Sequence, residues 1–329
     1  MSSSLDQVLL SMLQAGITTV MSPGDYFPAI VDVRERLANG DLTGPRLLIS
    51  GSIFTAPNSH PAVTSCRSDP FCRQSVAIEV DDPDVARAHV RRLSDAGVDF
   101  IKAVHHTAAR MPDLDDDVLA AIAAEAEKCE IPLVVHDPFF TGMIKGAQLG
   151  VDGFVHTPYR DIGDVAAAEY LADAGIPVTT TVSINDTFID ENGIKRTVMG
   201  NTFPPARDDY RPNTKANLKL FWDAGVLLAF GTDTQRMRPY REAVLGEAMA
   251  IAEVLPNEAV LEILTRNAAE FLYLSDDIGT LEPGKIADIV IIDGDPLEDV
   301  SVLGNVWIVI QSGRIVVDNR IALEPLLRD

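Results

Sequence analysis

The sequence predicts an α/β protein built on a TIM-type (β/α) barrel that is incomplete at its N-terminal side. Short Val/Ile-rich runs alternate with amphipathic helical stretches, the pattern of βα units around a parallel sheet. Seven such runs can be counted, where a closed barrel has eight. The chain also opens on a helix, where such a barrel opens on a strand, so strand one is expected to be missing.

Ser4 is placed to cap a first helix reaching about Ala15, with Leu5, Val8, Leu9, Met12 and Leu13 on one face. TTVMS (18–22) and RLLISGS (46–52) read as strands. A helix over Asp84–Ala96 leads to the strand VDFIKAV (98–104), and one over Leu114–Cys129 to PLVVHD (132–137). Helices near Thr141–Leu149 and Val165–Ala174 precede the strands VDGFVHT (151–157) and IPVTTTV (176–182). A polar stretch from about Asn185 to Pro212 follows, rich in Asp, Arg, Asn and Pro. The helix Asn213–Ala224 and the strand VLLAFGTD (226–233) come next, then helices over about Arg241–Val254 and Asn257–Phe271.

The end of the chain changes character. IADIVIIDG (286–294) and NVWIVIQSGRIVVD (305–318) are β-rich, and the second holds a Ser-Gly hairpin signal at 312–313. The expected division is a barrel over 1–275 and a small C-terminal β-sandwich portion over 276–329.

Composition narrows the function. Hydrophobic residues make up 47% of 329, too many for a disordered chain. No apolar run approaches the ~20 residues that span a bilayer. The net charge of −22, from 49 acidic and 27 basic residues, argues against nucleic acid or an anionic membrane as a partner. The N-terminus has no positive region and carries Asp6, so no secretory signal is expected and the cytoplasm is the expected location. Cys66, Cys72 and Cys129 are too few for a disulfide framework; Cys66 and Cys72 are near enough to pair, but two free thiols are the expectation.

Four polar residues are expected at the C-terminal ends of barrel strands, where barrel active sites lie. They are Lys102, His136, His156 and Asp233. Singly each has an ordinary explanation: a capped or satisfied histidine, a snorkelling lysine, a turn aspartate. Together they suit hydrolysis. Imidazoles and a carboxylate are good ligands for Zn²⁺ or a similar divalent ion. A buried lysine loses its proton easily and can then take up CO₂ as an anionic carbamate ligand. An aspartate beside the ion can accept a proton from water. His105 and His106 are neighbours, so their side chains are expected to diverge and to form no site.

The order Lys, His, His, Asp on successive strands resembles the amidohydrolase superfamily, in the branch of imidazolonepropionase-related amidohydrolases and Xaa-Pro or Xaa-Arg dipeptidases. AGITTVMSPG (15–24), GPRLLISGSIFT (44–55), AGVDFIKAV (96–104) and the passage 266–316 carry the resemblance. It implies Lys102 as a carboxylated bridging lysine, His136 and His156 as metal ligands, and Asp233 as both ligand and proton shuttle. His60 is the implied substrate contact, with an ordinary loop histidine as the even alternative. The family's His-x-His at the end of strand one has no counterpart here, so truncation is the expectation, with at most one tightly bound ion and poor turnover.

The expected function is therefore metal-dependent hydrolysis of an amide, cyclic amide or other C–N bond of a small molecule or dipeptide. The alternative is a truncated, non-catalytic homologue with a partial metal site, stable only as a homo-oligomer. A lyase using Lys102 as a Schiff base is less favoured, because two histidines and an aspartate accompany the lysine. Arg196, Arg207 and Arg211 can reach a substrate carboxylate in principle, but solvated loop charges are the expectation.

Overall fold

The computed structural model describes residues 4–106, 111–185, 187–189, 195–197, 210–234 and 239–320. Helix α1 (Leu5–Gln14) starts at a capping box: Gln7 N–H donates to Ser4 Oγ and Ser4 N–H to Gln7 Oε1. Val8, Leu9 and Leu13 are its buried face. Then come β1 (Thr19–Ser22), α2 (Ala29–Ala38), β2 (Arg46–Ile49), β3 (Ile53–Thr55), α3 (Pro70–Val76) and β4 (Ala77–Glu79). Helix α4 (Pro83–Asp95) has Asp82 as its cap and proline in its first turn, where no backbone donor is needed. It leads to β5 (Ile101–Val104), α5 (Asp116–Lys128), β6 (Leu133–His136), α6 (Phe140–Gln148), β7 (Gly153–Val155), α7 (Val165–Asp173) and β8 (Val178–Thr179).

Within the polar stretch, β9 (Thr187–Ile189) and β10 (Lys195–Thr197) pair antiparallel. Helix α8 (Tyr210–Ala224) takes Pro212 into its first turn, so it begins earlier than the expected Asn213. Strand β11 (Leu228–Ala229) precedes α9 (Tyr240–Ala252), α10 (Asn257–Leu264) and α11 (Arg266–Phe271). The last two replace one expected helix because Thr265 leaves helical geometry, at φ −122° and ψ −86°. Helices α2 and α3 and strands β3 and β4 have no counterpart in the sequence reading.

The expected strands are all present and parallel, but they do not close. One sheet runs β11-β8-β7-β6-β5-β3-β4, and β1 pairs β2 separately. β2 and β3 are consecutive in the chain, β2 pairing with β1 and β3 with β5, and Asp99 N–H, just before β5, donates to Ile49 O at 2.8 Å. Alternation along the strands sorts their side chains into two layers. Ile101, Ala103, Leu133, Val135, Phe154, Val178 and Leu228 join the helices in one buried cluster. Phe100, Val134, Val155 and Ala229 form a second cluster on the inner face, with Met21 and Leu48 against it. Each fully buried Val, Leu, Ile or Phe among them contributes about 1.5–3 kcal/mol through the area it removes from water.

At the chain end, β12 (Ile289–Ile292), β13 (Val306–Gln311) and β14 (Arg314–Asp318) form a three-stranded antiparallel sheet. Ser312 and Gly313 both take positive φ, +49° and +76°, as a two-residue hairpin turn requires. Leu13 of α1 packs with Val306, Val309 and Val317. Arg46 pairs with Asp288 at 2.8 Å, and Gln311 Nε2 donates to Thr18 O. Among the described residues no helix is long and apolar enough to cross a membrane.

Cys66 and Cys72 are disulfide-bonded, against the expectation of free thiols. The turn between them brings the two Cα atoms to 5.2 Å, within the span a disulfide bridges. Disulfides belong mostly to oxidising compartments, so this one pulls against a cytoplasmic location.

Candidate active site

The register of β5, β6 and β7 decides which side chains meet. Lys102 is opposite Val134, Val104 opposite His136, and His136 opposite Val155. Lys102 and His136 therefore share the inner face, directly above Phe100 and Val134. His156 follows Val155, and alternation alone would turn it to the helix side. Its φ of +81° breaks the alternation, so its ring lies 4.8 Å from that of His136, edge to face. Thr181 and Asp233, at the same ends of β8 and β11, also have positive φ, +44° and +46°. Left-handed backbone at non-glycine residues costs roughly 1–3 kcal/mol each, and such strain gathers at functional sites.

The His156 ring is tethered. Its Nδ1 lies 2.9 Å from Thr181 Oγ1, and its backbone N–H donates to Thr179 Oγ1 at 3.0 Å. Nε2 is thereby the nitrogen not taken up by Thr181. One layer out, Glu247 of α9 accepts from Val182 N–H at 2.8 Å and Ser183 N–H at 2.7 Å. Burial raises the Glu247 pKa in spite of these bonds.

His60 completes the cluster from the loop after β3. Its ring is 5.6 Å from that of His136, and its Nδ1 is 2.5 Å from Thr64 Oγ1. Lys102 is 4% exposed, and its Nζ donates to Ala103 O. Burial brings its pKa down to about 7, although the Asp233 charge acts to raise it. Burial, then Lys102, lowers His60 to about 4. Burial lowers His156 to about 3, with Lys102 and His60 adding to it. His136 is held well below its ordinary value, first by burial and then by His156, Lys102 and His60. At neutral pH the three imidazoles are held uncharged, and Lys102 gives up its proton far more readily than an exposed lysine. Uncharged imidazole and amine are the forms that ligate metals and react with CO₂.

The structure thus brings His60, Lys102, His136 and His156 together, with the Asp233 charge acting on Lys102. Arg211 is elsewhere, on α8, paired with Glu253 at 2.6 Å. Arg207 and the side chain of Arg196 lie outside the described residues. Sequence reading passed over Thr179 and Thr181, because β8 carries no ligand type. Three consecutive threonines in a buried parallel strand were the available signal. It also passed over Tyr159, a buried phenol near Asp233 and Asp137 whose pKa burial raises strongly.

His105 and His106 do not diverge. Their ring centroids are 3.8 Å apart. Strand β5 ends at Val104, so strand alternation no longer governs them. With Asp137 they are, among the described residues, the one group of three His, Cys, Asp or Glu side chains whose ligand atoms all lie within 4.8 Å of one another.

The family model for the amidohydrolase family matches residues 2–316. The chain is 31% identical over 115 residues to an imidazolonepropionase of Shouchella clausii (strain KSM-K16). That match takes in 33% of this chain, and the chain spans 26% of the length of this curated relative. The structure is similar to a prolidase complexed with N-methylphosphonate-L-proline, at TM-score 0.78 and 25% identity, over 95% of this chain and 78% of that one. It is also similar in fold to a Xaa-Pro dipeptidase with methionine in its active site, at TM-score 0.78 and 24% identity, over 94% and 77%.

Proposed function

The chain belongs to the amidohydrolase family, and we propose that it is a metal-dependent hydrolase of amide, cyclic amide or other C–N bonds in a small molecule or dipeptide. The observation that carries this reading is the buried group of Lys102, His136 and His156 at one end of the parallel strands, with both imidazoles held uncharged and the lysine pKa brought down to about 7. The imidazolonepropionase and prolidase likenesses support the bond class, a cyclic amide in one and a dipeptide in the other.

The donor set fits a divalent ion. Two neutral imidazoles with rings 4.8 Å apart and an amine that ionises near pH 7 give a nitrogen-rich site of the kind zinc accepts. Lys102, His136 and His156 would hold it, with Asp233 alongside. Such an ion supplies polarisation of the scissile carbonyl and a lowered pKa for water. The neutral Lys102 amine adds to CO₂ with loss of one proton, which makes it an anionic carbamate ligand. Asp233 takes the proton of the attacking water and returns it to the leaving nitrogen. His60, beside His136, contacts the substrate. The C-terminal strands serve packing: Leu13 and Arg46 tie them to the start of the chain.

The test is turnover on a panel of Xaa-Pro dipeptides, N-acyl amino acids and cyclic amides, before chelation, after it and after zinc is returned. The proposal expects activity that chelation removes and zinc restores. Turnover indifferent to chelation, or none on any member of the panel, would sink it.

A further inference from the structure

A second group of ligands lies on the other face of the same sheet. His105 reaches Asp116 at the start of α5, and Asp137 lies against Gly142 of α6, so both face the helices. His105 N–H donates to His136 O at 3.1 Å, which holds the two strand ends in register. His105 and Asp137 are fully buried, and His106 is 28% exposed.

Both imidazoles address one oxygen. His106 Nδ1 is 2.6 Å from Asp137 Oδ2, and His105 Nδ1 is 3.1 Å from the same atom. His105 Nδ1 makes no hydrogen bond there, although it is buried. Its other nitrogen, Nε2, is 3.0 Å from Asp116 Oδ1. A carboxylate only accepts, so that contact places the imidazole proton on Nε2. His105 Nδ1, 3.1 Å from Asp137 Oδ2, is thus a fully buried ring nitrogen without a hydrogen-bond partner. A buried ring nitrogen left without a partner is unfavourable unless another group meets it.

The carboxylate is held in that place. Asp137 Oδ1 accepts from Phe139 N–H at 3.0 Å. Its oxygens sit against Gly142 of α6, where a Cβ would come within 2.2 and 2.4 Å of them. Asp116, at the start of α5, is itself held by Lys145 at 3.0 Å. An imidazole whose far N–H is fixed by a carboxylate is the arrangement found behind metal-bound histidines.

We propose that His105, His106 and Asp137 bind a divalent transition-metal ion such as Zn²⁺ or Co²⁺, with Asp116 orienting His105 from behind. The donor set is two imidazoles and one carboxylate, which suits these ions better than Mg²⁺ or Ca²⁺. The ion ties the ends of β5 and β6 together, with α5 held through Asp116. The site stands whether or not Lys102, His136 and His156 hold an ion of their own.

Titration of metal-depleted protein with Co²⁺, followed by visible absorption and by metal content after dialysis, tests it. Four proteins are compared: the natural chain, the double variant His136→Ala/His156→Ala, His106→Ala, and Asp137→Asn. The last keeps the shape of the side chain and its bond from Phe139, so it decides the matter if His106→Ala fails to fold. The double variant should keep one ion with an unchanged Co²⁺ spectrum, while His106→Ala and Asp137→Asn bind that ion at least tenfold more weakly. Binding in folded His106→Ala or Asp137→Asn equal to that of the natural chain overturns the proposal. So does a double variant that binds no Co²⁺, which would show that the only ion lies at Lys102, His136 and His156. Failure of the hydrolase reading looks different: one ion in the natural chain, untouched by the double variant and lost in Asp137→Asn.

Discussion

His156 Nδ1 lies 2.9 Å from Thr181 Oγ1, and both residues sit in left-handed backbone at the ends of neighbouring strands. The hydroxyl occupies Nδ1 and leaves Nε2 for a ligand, and the backbone turn brings the ring beside that of His136. Removing the hydroxyl should therefore loosen the ligand without undoing the fold. Thr181→Ala is expected to lower zinc affinity at the Lys102 cluster roughly 10–100-fold, as loss of such partners does. Thr181→Ser should restore it. Competition with a chromogenic chelator measures this, and equal affinity in all three proteins would count against the tether.

Lys102 carries a pH signature. Burial brings its pKa from 10.5 to about 7, so between those values the unfolded chain holds a proton that the folded chain has lost. Stability then rises with pH through that window, because the unfolded state binds more protons. Below pH 7 both states are charged and the full cost of the buried charge is present. Chelator-treated protein should show this rise in urea titrations at pH 7 to 10, and Lys102→Met should flatten it. A slope unchanged in Lys102→Met would place the titration elsewhere.

Glu247 has the opposite sign. Its pKa is raised from 4.5 by burial, so stability falls as pH rises from 4.5 through the folded value, and is fully kept below 4.5. The side chain still matters at neutral pH, because Val182 N–H and Ser183 N–H both donate to it. Glu247→Ala should cost about 2–5 kcal/mol, from the loss of these buried hydrogen bonds and a cavity. Chemical denaturation measures it; a loss under about 1 kcal/mol would mean water replaces the carboxylate.

Gly142→Ala offers a test of packing. Alanine is normally the better helix former by about 1 kcal/mol. Here its Cβ would meet the oxygens of Asp137 at 2.2 and 2.4 Å. A net loss of about 1–3 kcal/mol is expected, as for other overpacked sites. A more stable variant would show that Asp137 moves freely.

The parallel strands and their helices were legible because each carries its own period and its own caps, as Ser4 and Asp82 show. Lys102, His136, His156 and Asp233 could be singled out because strand ends follow from the same pattern. The meeting of His136 and His156 could not be read, since it depends on a φ of +81° that alternation does not foresee. Nor could the convergence of His105 and His106, which begins one residue after the strand stops. The break of 46–55 into β2, paired with β1, and β3, paired with β5, depends on long-range contacts that periodicity does not encode. Thr181 was invisible for a simpler reason: a hydroxyl that orients a ligand looks, in sequence, like any β-strand threonine.

The central claim is that C–N bond hydrolysis depends on the ion held by Lys102, His136 and His156. The most direct measurement is release of free amine from the best substrate of the panel by the natural chain and by His136→Ala, side by side in saturating zinc. The natural chain is expected to turn over, and the folded His136→Ala variant to lose at least ~1,000-fold in kcat/KM, about 4 kcal/mol of transition-state stabilisation. Equal turnover in the two proteins would contradict the account.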